Sequence, residues 1–198
     1  MSDVKAGDPA PSFELPTDGG GTISSAGLAG KPYVIYFYPK DDTPGCTKEA
    51  IGFSCSYDRF KAAGVEVIGV SKDSAASHDK FKKKHDLLFP LGSDTDGGVV
   101  EAYGAWVEKS MYGRKYMGID RATFLVGPDG KVARAWRKVG VPGHVEEVLE
   151  AAKGLAESSS RGAVTAAFSQ RAGQWQDRFG RGRTLARPCP PTTPSWPS

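Results

Sequence analysis

Cysteine is scarce in this 198-residue chain: Cys46, Cys55 and Cys189 are all it has, and no C-x-x-C pair is among them. That excludes a disulfide-stapled scaffold and a four-ligand zinc site, which need more thiols at paired spacings. It also excludes the dithiol chemistry that a C-x-x-C supports. No apolar run approaches the roughly 18 residues of a membrane span, so no membrane partner is expected. Residues 1–16 lack the basic and apolar regions of a secretory signal, and the expected location is the cytoplasm. His78, His85 and His144 have no ligand-like spacing; no metal is expected, and each reads as a surface residue.

Lysine is missing from residue 156 onward. Up to Leu155, 15 Lys and 5 Arg face 21 acidic residues, a net of −1, whereas the remainder sets 6 Arg against 2 acids. The overall charge of +3 therefore belongs to the tail, and the body has no basic footprint for nucleic acid. The tail also carries 4 Gly, 5 Pro and 6 Ser but only Val164, Phe168, Phe179 and Leu185 from the Leu, Ile, Val and Phe class. Such a segment buries too little apolar surface to offset the entropy of ordering it. The expected organisation is one domain over residues 1–155, then a tail over 156–198 that is disordered apart from a short helical stretch near 163–176.

What the body does have is strand and helix signal in alternation. Tyr33 to Tyr38 is an unbroken run of aromatic and β-branched residues, the pattern of a strand buried on both faces. Thr43-Pro44 supplies an N-cap and a first-turn proline, predicting a helix that Gly64 stops. Val65 to Val70 predicts a second strand, so residues 33–70 form a β-α-β unit. A helix is expected over 74–85, with Phe81 inward and Lys80, Lys82, Lys83 and Lys84 outward, and a short one over 97–103. Gly127-Pro128-Asp129-Gly130 reads as a turn joining strands 123–126 and 131–137, and Pro142 opens a last helix. This order predicts an α/β, thioredoxin-like fold: a mixed central sheet flanked by helices, with an amino-terminal hairpin over 12–24.

In that frame Cys46 falls in the first turn of a helix, beside unpaired N–H groups and the positive end of the helix dipole, which stabilise negative charge on sulfur. Pro39, Thr43 and Cys46 spell P-x-x-x-T-x-x-C, here PKDDTPGC. With YFYPKDDTPGCTKEA, KSMYGRKYMGIDRATFLVGPDG and WRKVGVPGHVEEVL, the chain resembles the peroxiredoxins of the bacterioferritin comigratory protein, or peroxiredoxin Q, group. The resemblance implies thiol-dependent reduction of hydrogen peroxide and organic hydroperoxides with no cofactor. It implies Cys46 as nucleophile, Thr43 as a hydrogen-bonding partner of sulfur and peroxide, Pro39 as a shield, Arg121 as the cation and Glu49 as the carboxylate that orients it. The implied reductant is thioredoxin or a low-molecular-weight thiol, and the expected assembly is a monomer or weak homodimer.

The chain departs from this group at the second cysteine. Where many members have a resolving thiol five residues after the first, this sequence has Ile51. Cys55 would lie about 13.5 Å further along one helix and on its other side, whereas a disulfide needs Cα atoms within about 7 Å. Cys189, between Pro188 and Pro190, has no docking segment. A one-cysteine cycle completed by an external thiol is therefore expected, with Cys55 and then Cys189 as alternatives for resolution. A second reading on the same fold is a peroxide sensor or redox-regulated holdase, which would react once rather than turn over.

Overall fold

The computed structural model describes residues 4–111 and 113–164. The amino-terminal hairpin is present as β1 (Glu14–Pro16) and β2 (Thr22–Ser24), paired antiparallel. The apolar run forms β3 (Tyr33–Phe37), and every residue of it is buried. The β-α-β unit follows as α1 (Pro44–Ala62) and β4 (Glu66–Ser71), the latter parallel to β3. Next come α2 (Ala75–His85), β5 (Leu91–Ser93) and α3 (Gly98–Ala102). The chain continues through β6 (Trp106–Met111), β7 (Arg114–Ile119), β8 (Ala122–Val126), β9 (Val132–Arg137) and α4 (His144–Val164).

The central sheet has the order β5-β4-β3-β8-β9, parallel across its first three strands and antiparallel across β3, β8 and β9. Because side chains alternate along a strand, β3 feeds two cores. Val34 and Tyr36 pack with Ala50 and Phe53 of α1 and with Val148 and Leu149 of α4. Tyr33, Ile35 and Phe37 pack on the other face with Phe13, Leu15, Tyr103 and Phe124. This two-faced burial explains why the strand reads as continuous rather than alternating hydrophobicity.

Three local expectations needed adjustment. Strand β5 and the β6/β7 hairpin add to the expected order: β5 is three residues long, and the hairpin strands, WVEKSM and RKYMGI, show no regular alternation, with β7 exposed from Arg114 to Met117. The last helix, expected over 143–155, continues as α4 to Val164. The remainder of the tail, with its expected disorder and Cys189, lies outside the described residues. The turn at 127–130 forms as read, with Gly130 N–H bonding Gly127 C=O at 3.0 Å and Gly130 at φ +74°. Among the described residues no helix is long and apolar enough to cross a membrane.

Candidate active site

Helix α1 begins where the chain leaves the end of β3. Thr43 has the extended backbone of an N-cap, and Pro44 occupies the first helical position, where a missing N–H forfeits no helix bond. The first rung runs from Thr47 N–H to Thr43 C=O at 2.8 Å. Cys46 consequently sits among first-turn amides that no helix carbonyl satisfies. Thr43 departs from its expected contacts, because its hydroxyl makes no cap bond and donates to the Lys40 carbonyl at 3.1 Å. With that proton committed, its lone pairs are what it offers an incoming donor. Pro39, expected as a shield, is exposed on the same loop.

Arg121 reaches this cysteine through sheet order. β8 lies beside β3 with Ala122 opposite Phe37, so residue 121 opens at the sheet end from which α1 departs. Its Nη2 stands 3.4 Å from Cys46 Sγ, and its Nη1 donates to Glu49 Oε2. Glu49 follows Cys46 by three residues, which puts the two on one side of α1. Cys46 is only 2% exposed and Glu49 is wholly buried. A Cβ at Gly45 would lie 3.2 Å from Arg121 Nη2, so the absence of a side chain there lets the guanidinium approach the helix.

The second oxygen of Glu49, Oε1, is buried without a hydrogen-bond partner. Burial pushes this carboxyl up to about 7, against the opposing pull of Arg121. A buried sulfur, a cation that cannot be neutralised and a carboxyl that fixes one arm of the guanidinium thus share one small volume. That arrangement stabilises negative charge on sulfur and on an atom bonding to it.

The remaining cysteine within the described residues is placed as the helical spacing requires. Cys55 is exposed on the same continuous α1 that buries Cys46.

Two histidines contradict their expected surface positions. His78 is completely buried, its Nδ1 2.9 Å from Asp41 Oδ2 and its Nε2 3.2 Å from the Gly92 carbonyl. His144 is 5% exposed, with Nε2 2.8 Å from Thr123 Oγ1 and its ring edge-on to Phe53 and Trp136. His85 is partly covered and pairs with the exposed Asp42 at 3.1 Å. Each partner comes from a distant stretch of chain, which is why residue spacing gave no sign of it. Tyr36 and Tyr38, read only as strand residues, also line the core that holds Cys46.

A thioredoxin-like sheet that presents one cysteine at a helix start against an arginine paired with a buried carboxylate defines a cysteine-dependent redox protein. Residues 6–135 match the AhpC/TSA family, and the chain belongs to it. It is 46% identical over 159 residues to the peroxiredoxin Bcp of Xanthomonas campestris pv. campestris, covering 79% of this chain and 99% of that protein. It is 44% identical over 154 residues to the peroxiredoxin Bcp of Bacillus subtilis, covering 78% and 98%. Among solved structures, the Xanthomonas campestris bacterioferritin comigratory protein, described for its alkyl peroxide reduction activity, superposes with a TM-score of 0.70 at 46% identity. That match covers 73% of this chain and 92% of the other. By this kinship the chain is a thiol-dependent peroxidase of the Bcp/peroxiredoxin Q group.

Proposed function

We propose that Cys46 is the peroxidatic nucleophile, that Arg121 and Glu49 are its electrostatic partners, and that an external thiol completes a one-cysteine cycle on hydrogen peroxide and organic hydroperoxides. The 3.4 Å approach of Arg121 Nη2 to Cys46 Sγ carries the reading. The sulfur attacks one peroxide oxygen, the O–O bond breaks, and the other oxygen departs with the bonding pair and takes a proton to become water or an alcohol. Charge moves from sulfur toward oxygen during this step, so a guanidinium fork spanning both positions stabilises the transition state more than the ground state. Thr43, its proton committed to Lys40, accepts a hydrogen bond from the protonated peroxide oxygen, and Pro39 flanks the entrance.

Cys46 is left as a sulfenic acid. A thiol then displaces water to form a mixed disulfide, and a second thiol releases Cys46 and leaves as a disulfide. The reductant is thioredoxin or a low-molecular-weight thiol, and the protein acts in the cytoplasm as a monomer or weak homodimer. The peroxidase unit is residues 1–155. The separation of Cys46 and Cys55 on one helix supports external resolution, since about 13.5 Å of rise divides them.

Mass spectrometry after one equivalent of peroxide tests the scheme, with sulfenic acid on Cys46 the expected product. Peroxide consumption should turn over with added thiol and vanish in Cys46→Ser. Activity in that variant would refute the site, and stoichiometric Cys46–Cys55 or Cys46–Cys189 disulfide would refute external resolution.

A further inference from the structure

The loop from β3 to α1 is held by a buried network that the peroxidase chemistry does not use. Asp41, at the middle of that loop, is 7% exposed. Its carboxylate accepts from Tyr38 Oη at 2.7 Å and Ser77 Oγ at 2.8 Å, and meets His78 Nδ1 at 2.9 Å. Its backbone N–H donates to Asp73 Oδ2 at 2.8 Å, and Asp73 is in turn fixed by Ser71 and Ser93. Both nitrogens of His78 are engaged, Nδ1 by the Asp41 carboxylate and Nε2 by the Gly92 carbonyl, so the ring is held from both sides. The next residue, Asp42, takes a left-handed φ of +59° and pairs at the surface with Lys84 and His85.

We propose that Asp41 and His78 are positioning residues: a buried hydrogen-bonded pair that clamps the start of α1 to α2 and sets the balance between the two halves of the peroxidase cycle. The inference rests on the function proposed above. Two opposing demands meet at Cys46. Peroxide needs the sulfur fixed beside Arg121, because a shift of the helix start moves Sγ off the 3.4 Å approach. The reducing thiol needs the same sulfur uncovered, because it must reach the sulfenic sulfur itself. At 2% exposure Cys46 meets the first demand and resists the second, most of all for a protein thiol. The clamp is the part of the fold that chooses between them, since it ties residue 41, five positions before the cysteine, to a different helix.

The prediction is a change of opposite sign in the two half-reactions. Asp41→Asn keeps the shape of the side chain and removes its charge, and Ser77→Ala removes one donor at little risk to folding. In Asp41→Asn, sulfenic acid formation should slow by about tenfold, the scale of a lost hydrogen bond to a charged group. Reduction of the sulfenate by thioredoxin should quicken, more than reduction by dithiothreitol does. Ser77→Ala should shift each rate the same way by less, and Lys84→Ala, which breaks only the exposed bridge to Asp42, should shift neither. A fall in both half-reactions together would overturn the clamp, as would an equal effect from Lys84→Ala. Hydrogen exchange reads the clamp without any catalysis: amides of residues 39–47 should exchange faster in Asp41→Asn and Ser77→Ala while those of β8 do not. Unchanged exchange overturns it, whereas a wild-type protein that consumes no peroxide with any thiol would overturn the proposed function alone.

Discussion

His144 makes the stability of this protein fall with acid, by an amount that follows from its surroundings. It opens α4 almost completely buried, its ring Nε2 hydrogen-bonded to Thr123, with Phe53 and Trp136 against the ring. Burial lowers its pKa to about 4, helped by the Arg121 charge and opposed by Glu147. In the unfolded chain the same imidazole takes a proton near 6.5, so between about 6.5 and 4 the unfolded state binds more protons than the native one. Stability from this group is therefore complete above 6.5 and is lost as the pH drops through that window. At 1.36 kcal/mol for each pH unit of displacement, the loss approaches about 3 kcal/mol as an upper bound. His144→Gln can keep a donor near Thr123 but does not titrate. Urea denaturation of both proteins at pH 7, 6, 5 and 4.5 should show the variant less stable at pH 7 and the gap closing as the pH falls. Other titrating groups are common to both and cancel in the difference. Parallel curves would mean that His144 is not held neutral by its site.

Arg121→Lys should slow sulfenic acid formation by about tenfold or more, since a single ammonium cannot hold Glu49 and face the sulfur together; stopped-flow with peroxide reads this, and an unchanged rate would return Arg121 to a structural ion pair. The rate of that step in the wild type should rise with pH through about 7 as Glu49 ionises and anchors the guanidinium. Glu49→Gln should lose that limb of the profile. Gly69→Ala should destabilise the fold by about 1 to 3 kcal/mol, because its Cβ would lie 2.8 Å from Tyr36 Oη and 2.9 Å from Leu91 Cδ2. Tyr36 is stacked on Phe53 at 4.7 Å and cannot swing aside, so a neutral result in thermal denaturation would show more slack in this layer than its packing allows.

The elements legible in the sequence are those whose signal is local. Tyr33 to Phe37 announces a doubly buried strand because all five residues are apolar, and Thr43-Pro44 announces a helix start because backbone geometry there depends on two neighbours. The 127–130 turn is legible for the same reason. Strand β5 and the β6/β7 hairpin were not legible, since the first is short and the second lies half in solvent, where neither period nor composition is distinctive.

The candidate site divides along the same line. Cys46 at a helix start is a property of eight consecutive residues, PKDDTPGC, and the sequence by itself determined it. The pairing of Arg121 with Cys46 and Glu49 was available only as resemblance, because nothing within the chain's spacing brings residues 72 and 75 positions apart together. Sheet order does so, by laying β8 antiparallel to β3. Tertiary structure alone decided the fate of the histidines. His78 and His144 stand in polar surroundings in sequence, yet Asp41, the Gly92 carbonyl and Thr123 give them partners in the interior. A buried polar side chain is tolerated only where its hydrogen bonds are met, and those partners come from segments that folding, not sequence adjacency, brings into reach.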